Sequence, residues 1–519
     1  MELKDYFINK KNRKNCSNIF NKIILEGLAF KTNINRPVVK YKKLDQIKKE
    51  VLENLPEESM DIEKVIEECK ERIINGAVNF SSENFLAFPD SGNSIAAVGG
   101  HLLYGFLNQN LINSMHCSPT ATFVEITVIN WLRQLLGYKI KKIQNDSLDA
   151  GGINVPGGTL ANTIAILLAR EKIYPGTMKN GLNKSNKPLF MFIPEGIGHY
   201  TSRAAMGWLG IGMDNIVNVK TSDSFTIDRE DLIRKIKQTK ERGTPFIIIA
   251  YAGDSRTMAI DNFKELSKIA KKYGLWLHVD ACHGASLAFT KTLRHKLNNI
   301  YLADSITIDP HKVLWVPYNS SYLLLKDPES LMPIAGVSAL ITKAQYSFGQ
   351  VTPFLGSRAF TSLKVWFLIK NLGRKKIGQL IKERHKKAVY FSNLIKKSKD
   401  FYLMNNVEIN SVVYLYIPTE LKKELGGSNK NESINKINEL NLRIQKRMFR
   451  KGSFYVHTFK LNDFKNILKA GRGKVYQMQR LMIGNPLTTK KDLKSLITET
   501  NKIARAEWKS LIESAKDEK

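Results

Sequence analysis

Cysteine is scarce: four residues in 519, at positions 16, 69, 117 and 282, far apart and without CxxC spacing. That excludes a disulfide framework and offers no zinc ligand set, so no metal is expected. Glycine (33) and proline (16) are ordinary in number and 43% of residues are hydrophobic, which excludes collagen-like and broadly disordered chains. No apolar run reaches the roughly 20 residues of a membrane span. The opening residues, MELKDYFINKKNRKN, lead into no apolar core and no small-residue cleavage site, so a cytoplasmic protein is expected. Negative charge is also in short supply, since 48 Asp+Glu against 80 Lys+Arg leave a formal +32. A basic face for nucleic acid or anionic lipid is one reading of that excess. The basic residues are scattered (KKNRK at 10–14, KYKK at 40–43, RKK at 374–376) and accompany no finger, RRM or Gly-rich tail. Solvated surface charge, with no nucleic-acid partner, is therefore the expectation.

Residues 1–80 are rich in charge and helix formers and predict an N-terminal helical arm. Residues 81–115, including SSENFLAFPDSGNSIAAVGG, are turn-rich and aromatic, as suits a loop lining a cleft. Between 150 and 330 strand-like and helix-like patterns alternate. PLFMFIPE (188–195), PFIIIAYAG (245–253), LWLHVD (275–280) and DSITID (304–309) are short apolar runs without polar alternation, the pattern of parallel strands buried on both faces. DNFKELSKIAKKYG (261–274) predicts a crossover helix capped by Asp261 and stopped at Gly274. The expected architecture is α/β with a mainly parallel sheet. The boundaries predicted are an arm and cleft segment over 1–110, a large α/β domain over 111–375, and a smaller C-terminal α+β domain over 376–519.

Ligands of such sheets bind beyond the carboxyl ends of the strands. Three positions there are informative. In PGGTLANTIAILLAR (156–170), Gly157 and Gly158 precede Thr159 and an apolar-periodic helix, a turn whose free N–H groups favour an anion such as phosphate. Neither GxGxxG nor GxxxxGK[ST] is present. Asp280 ends the strand LWLHVD, where a buried carboxylate requires a partner: a salt bridge, a helix cap, or a protonated heterocyclic nitrogen. Lys312 follows a buried strand and a Pro-His turn, so its amine projects over the same edge, where an apolar pocket makes a lysine nucleophilic toward aldehydes. A phosphate cradle, an acidic partner for a ring nitrogen and a Schiff-base lysine together are what a protein supplies to pyridoxal phosphate.

From residue 75 onward the sequence resembles the group II pyridoxal-phosphate-dependent amino acid decarboxylases, the family of the aromatic amino acid, glutamate, cysteine sulfinate and diaminobutyrate enzymes. The matching segments occur in order: NFLAFPDSGNS (84–94), SPTATFVEITVINWLRQLLGY (118–138), GGTLANTIAILLAR, GHYTSRAAMGWLGIG (198–212), HVDACHGA (278–285), DPHKVLWVP (309–317) and FLGSRAFTSLKVWF (354–367). The resemblance implies the aspartate aminotransferase-like transferase fold, fold type I, with bound pyridoxal 5'-phosphate. It implies Gly158 and Thr159 as phosphate contacts, His199 stacked on the ring, Asp280 as pyridinium partner, Cys282 and Ser255 near the ring, His311 beside the cofactor and Lys312 as the Schiff-base lysine. In the substrate-cleft segment it implies Phe88, Asp90 and Asn93.

The activity implied is decarboxylation of an L-amino acid to the amine and carbon dioxide, in a homodimer whose sites are shared between subunits. Two departures from the family pattern stand out. Gly253-Asp254-Ser255 replaces a Gly-Thr-Thr-like turn, and the mobile-loop region GVSALITKAQYSFGQVTPF (336–354) offers only Tyr346 as the tyrosine that protonates the substrate carbon. His311 and Lys312 are further candidates for that proton. Residues 336–352 are the expected lid. Relatives with the tyrosine replaced release an aldehyde, so an aldehyde synthase is the alternative, and HVDAC also resembles the sphingosine-phosphate lyases, another carbon–carbon lyase group. A non-catalytic basic nucleic-acid-binding protein is the reading from a different class. The cleft composition suggests a small or aromatic substrate, with Asp90 hinting at a cationic one.

Overall fold

The apolar runs of the middle of the chain become strands because they can bury both faces at once. The computed structural model describes residues 3–33, 35–141, 146–183, 186–336, 346–352, 355–427 and 429–517. Strands β1 (Gly152–Val155), β2 (Leu189–Pro194), β3 (Ile216–Val219), β4 (Thr244–Tyr251), β5 (Trp276–Asp280), β6 (Ser305–Ile308) and β7 (Ser321–Leu325) form one sheet of order β1-β7-β6-β5-β4-β2-β3. The pairings from β6 through β3 are parallel, while β7 runs antiparallel to both β6 and β1. Every residue of β1, β2, β5, β6 and β7 is buried, so both faces are covered.

The helix Gly158–Ile173 buries Ala161, Ile164, Ala165 and Leu168 in the core around this sheet. The crossover helix spans Phe263–Tyr273 and stops at Gly274, whose left-handed φ of 73° suits glycine. Its N-cap is Asn262, whose side chain accepts from the Glu265 N–H at 3.3 Å. Asp261 is not the cap: its carboxylate accepts from the N–H groups of Ile227 and Tyr251, both at 2.8 Å.

A second, antiparallel sheet of order β10-β11-β9-β8 is built from β8 (Phe401–Leu403), β9 (Ser411–Tyr416), β10 (His457–Asn462) and β11 (Val475–Met482). Leu440, Ile444 and Met448 of helix Lys430–Lys451 and Leu493 and Leu496 of helix Lys490–Asp517 pack in its core. The long helix Ser362–Lys397, interrupted at Gly373, contributes to the cores of both sheets through Val365 and Leu368 on one side and Ala388 and Phe391 on the other. Helices Arg13–Thr32, Leu44–Val51 and Ile62–Glu68 of the arm carry no buried residue. The expected cleft loop is partly helical, since Ile95–Leu107 forms a helix capped by Ser94. Among the described residues no helix is long and apolar enough to cross a membrane.

Candidate active site

Because β1 opposes β7 and β7 opposes β6, the carboxyl ends of β1, β2, β4, β5 and β6 all lie on one edge of the sheet. A cavity of about 350 Å³ opens along that edge, within the roughly 300–1,000 Å³ of small-molecule sites. Each strand sends residues into it: Gly157, Gly158 and Thr159 after β1, His199 after β2, Ser255 after β4, Asp280 and Cys282 from β5, and His311 and Lys312 after β6. These segments are far apart in sequence and share a wall because of the strand order.

Lys312 Nζ lies 2.8 Å from Asp309 Oδ2, one turn earlier, and Asp309 is wholly buried. Burial pushes the Asp309 carboxyl upward, but the charges of Lys312 and His311 outweigh it and bring its pKa down to about 2. Burial pulls the lysine the other way, yet the carboxylates of Asp309, first, and Asp280 raise it well above its usual value. The amine is therefore held as an ammonium. His311 donates from Nδ1 to the Ser320 carbonyl at 2.7 Å, leaving Nε2 3.8 Å from Asp309. The loop that closes this end, 317–319, is supported from beneath by the buried Lys364, whose ammonium donates to the carbonyls of Pro317, Tyr318 and Asn319 at 3.0, 3.2 and 2.7 Å.

Asp280 is held by both oxygens. Oδ1 accepts from the Cys282 N–H at 3.1 Å and Oδ2 from Asn162 Nδ2 at 2.9 Å. Cys282 is buried, and burial, with Asp280 and Asp309 nearby, pushes its thiol well up, so it stays protonated and inert as a nucleophile. His199 caps the helix Tyr200–Trp208, with Nδ1 2.8 Å from Thr201 Oγ1 and its own N–H donating to the Tyr251 hydroxyl at 2.8 Å. Burial lowers its pKa despite Asp280, so the ring is neutral. The start of helix Gly158–Ile173 faces the same space with N–H groups that have no intrahelical acceptor. A Cβ on Gly158 would stand 2.8 Å from both Asp309 Oδ2 and Cys282 Sγ, so glycine is what lets backbone approach here.

Other residues expected at the site are not themselves among those lining the cavity. Asp90 is 8% exposed and its carboxyl accepts from the Tyr318 hydroxyl, and it is Tyr318 that lines the cavity. Phe88 packs against His457, ring centroids 5.0 Å apart, with the Arg480 guanidinium 5.5 Å over its face. Asn93 donates to Asn485 at 3.1 Å and accepts from Ser91 at 3.0 Å, tying the cleft segment to the chain that follows β11. Tyr346 packs on Phe123, ring centroids 4.9 Å apart, and is not among the residues lining the cavity. Of the lid expected over 336–352, residues 337–345 lie outside the described residues. The departure at Asp254 belongs to the turn: this wholly buried carboxylate accepts from the N–H groups of Arg256, Thr257 and Ala259 at 2.8, 2.8 and 2.9 Å.

Asn162, His283, Asp309 and Tyr318 line the cavity without having been expected there. Asp309 was within reach of sequence reasoning, three residues before Lys312 in DPHK and hence on the same helical turn. Asn162, a polar residue one turn into an apolar helix, was a fainter signal. His283, 8% exposed with a buried Nδ1 that has no partner, gave none.

An amine, a carboxylate held open, a flanking imidazole and an anion-binding helix start on one wall fit a phosphorylated aldehyde carrying a ring nitrogen. The fold and this donor set define a fold type I pyridoxal-phosphate enzyme. The family described as "Pyridoxal-dependent decarboxylase conserved domain" matches residues 45–417, and the chain belongs to it. Its activity is pyridoxal-phosphate-dependent decarboxylation of an amino acid. It is 30% identical over 500 residues to the aspartate 1-decarboxylase of Aliivibrio fischeri, covering 91% of this chain and 89% of that one. It is 28% identical to the acidic amino acid decarboxylase GADL1 of Xenopus tropicalis, covering 86% and 87%. The crystal structure of mouse CSAD superposes with a TM-score of 0.84 at 25% identity, covering 94% of this chain and 98% of that one.

Proposed function

We propose that Lys312 is the residue that binds the cofactor aldehyde and that the enzyme releases carbon dioxide from a small acidic L-amino acid to leave the amine. The observation that carries this reading is the placement of Lys312 Nζ in the cavity with Asp280 on the same wall and the start of helix Gly158–Ile173 beside them. Pyridoxal phosphate, when bound, supplies an electron sink for the bond that breaks. The chain's own residues do the rest. Asp280 would hold a proton on the ring nitrogen by offering an opposite charge, His199 would support the ring, and Gly158 and Thr159 would hold the phosphate through backbone N–H groups. Ser255, Cys282 and His311 line the same cavity and would border the ring.

Two observations support an acidic substrate over the aromatic or cationic ones that the cleft composition suggests. Relatives at 30% and 28% identity carry names that specify aspartate and acidic amino acids. Asp90 is turned into Tyr318, whereas the buried Arg480 reaches the carbonyls of Ser255 and Ala87 and has an Nε without partner, placing a cation beside the cavity. Cytoplasmic residence and a homodimer belong to the same proposal. The arm helices carry no buried residue within the subunit, and Leu102, Leu103 and Leu107 lie exposed on helix Ile95–Leu107, where Phe106 meets Phe20 of the arm at 5.1 Å between ring centroids, as an interface with a second copy requires. In that dimer the segment bearing Tyr346 serves the neighbouring site as proton donor.

Holoenzyme reduced with borohydride and mapped by mass spectrometry is expected to carry the cofactor on Lys312, and incubation with pooled L-amino acids to yield the amine of an acidic one. An aldehyde product would move the chain to the synthase branch. Lys312→Ala that retains full turnover would overturn the lysine's role.

A further inference from the structure

Behind Asp280 lies a line of hydrogen bonds with only one self-consistent direction. Trp276 Nε1 is 2.8 Å from Ser305 Oγ, and Ser305 Oγ is 2.8 Å from His278 Nδ1. His278 Nε2 is 3.0 Å from Asn162 Oδ1, and Asn162 Nδ2 is 2.9 Å from Asp280 Oδ2. The two ends fix the orientation. An indole N–H can only donate and an ionised carboxylate can only accept. Asn162 Nδ2 therefore donates to Asp280, its Oδ1 faces His278 Nε2, which must carry the histidine proton, and Nδ1 takes the proton of Ser305, which itself accepts from Trp276. Flipping the Asn162 amide would set its oxygen against the carboxylate and its NH₂ against the donating Nε2. It would also remove the acceptor of Thr307, whose hydroxyl donates to Asn162 Oδ1 at 2.8 Å.

All of these residues are buried: Trp276 is 3% exposed, Asn162 3%, and Ser305 and His278 0%. Burial brings His278 down to about 4, so the neutral tautomer that the line requires is the one present at working pH. Trp276 and His278 sit on β5, Ser305 on β6 and Asn162 on the helix Gly158–Ile173, so the line joins the strand that carries Asp280 to the element that opens the anion site.

We infer that Trp276, Ser305, His278 and Asn162 form a one-way donor line that keeps an N–H on Asp280 Oδ2 and holds the carboxylate aimed into the cavity, with His278 as its central positioning residue. The inference rests on the reading of Asp280 as the carboxylate that faces the cofactor ring nitrogen. Each donor in the line polarises the next, so the last one, Asn162 Nδ2, meets the carboxylate with a stronger dipole than an isolated amide. Trp276, Ser305 and His278 are not among the residues lining the cavity; they act through Asn162 and Asp280, which are.

The test uses full-length protein loaded with pyridoxal phosphate, comparing wild type with His278→Phe, His278→Gln and Ser305→Ala. Cofactor affinity and the pH midpoint of the bound cofactor's visible band are measured beside the melting temperature. His278→Phe removes the bonds to Ser305 and Asn162 and leaves the Asn162 amide unsteadied against Asp280, so cofactor binding is expected to weaken about tenfold, on the order of one neutral hydrogen bond. It is also expected to move the band's midpoint upward by about one unit, because a less firmly held ring proton withdraws less charge. His278→Gln restores both, since its amide can accept from Ser305 and donate to Asn162. If the phenylalanine variant does not fold, Ser305→Ala is expected to give the same shift in smaller size. A lower melting temperature with affinity and midpoint unmoved would leave the line a structural brace and overturn the inference. Absence of a borohydride-trapped cofactor on wild-type Lys312 would overturn the site reading and this inference with it. A trapped adduct with unmoved spectra overturns the inference alone.

Discussion

Lys312 and Asp309 share one helical turn, and their side chains meet at 2.8 Å where Asp309 has no contact with solvent. A lysine reacts with an aldehyde only through its unprotonated form, and this carboxylate is the largest of the influences that raise Lys312 above its ordinary value. Asp309→Asn keeps the shape and removes the charge. Cofactor added to the apoprotein of that variant is expected to load faster at pH 7, with the pH midpoint of the loading rate lowered by about one unit or more. Stopped-flow absorbance reads both, and a midpoint equal to wild type would show that the ion pair does not govern the amine. Asp280 and Lys312 are legible in the sequence because they end or shortly follow apolar runs, and Gly158 because a Gly-Gly turn opens an apolar-periodic helix, so strand order then collects them. Asn162 and His278 are not legible in that way. Their roles depend on a helix crossing β5 at hydrogen-bonding distance, which no local pattern records, and His278 in LWLHVD reads as one more buried strand position.

At the scale of the element, the helix Gly158–Ile173 shows how closely backbone must approach for the cavity to form. Gly157 and Gly158 look equivalent in PGGT, yet their surroundings differ. A Cβ on Gly157, whose φ of −161° is ordinary extended backbone, meets nothing within 4 Å, whereas one on Gly158 meets Asp309 and Cys282 at 2.8 Å. Gly157→Ala is therefore expected to change unfolding free energy by no more than about 0.5 kcal/mol. Gly158→Ala is expected to cost about 1–3 kcal/mol, as overpacking does, and to weaken cofactor binding by displacing Asp309. Denaturant titration and cofactor titration of the pair check this, and equal stabilities would show that the two side chains beneath Gly158 yield freely. The helix itself and its glycine start are evident in the sequence; which glycine is obligatory is a property of β5 and β6 beneath it. The cap of helix Phe263–Tyr273 follows the same logic. Asp261 and Asn262 are both good caps by composition, and Asn262 takes the role because the Asp261 carboxylate already serves the N–H groups of Ile227 and Tyr251.

For the whole molecule the unbalanced quantity is charge. With 80 Lys+Arg against 48 Asp+Glu, a large part of the basic residues has no acidic residue left to pair with. Some acidic groups are already taken in the interior: Glu125 by Arg358 at 2.7 Å and Asp309 by Lys312 at 2.8 Å. Pairs such as Lys22–Glu63, 49% and 60% exposed, contribute little in water. The folded state therefore concentrates net positive charge that the unfolded chain spreads out, and self-repulsion opposes folding. Salt weakens this term, since the Debye length falls from about 30 Å at 0.01 M to about 8 Å at 0.15 M ionic strength. Thermal unfolding followed across that range is expected to rise in midpoint with added KCl, the reverse of a protein whose surface ion pairs dominate its electrostatics. A midpoint that falls with salt would mean that the basic residues are locally compensated after all, so that the +32 of the sequence overstates the field that the folded surface presents.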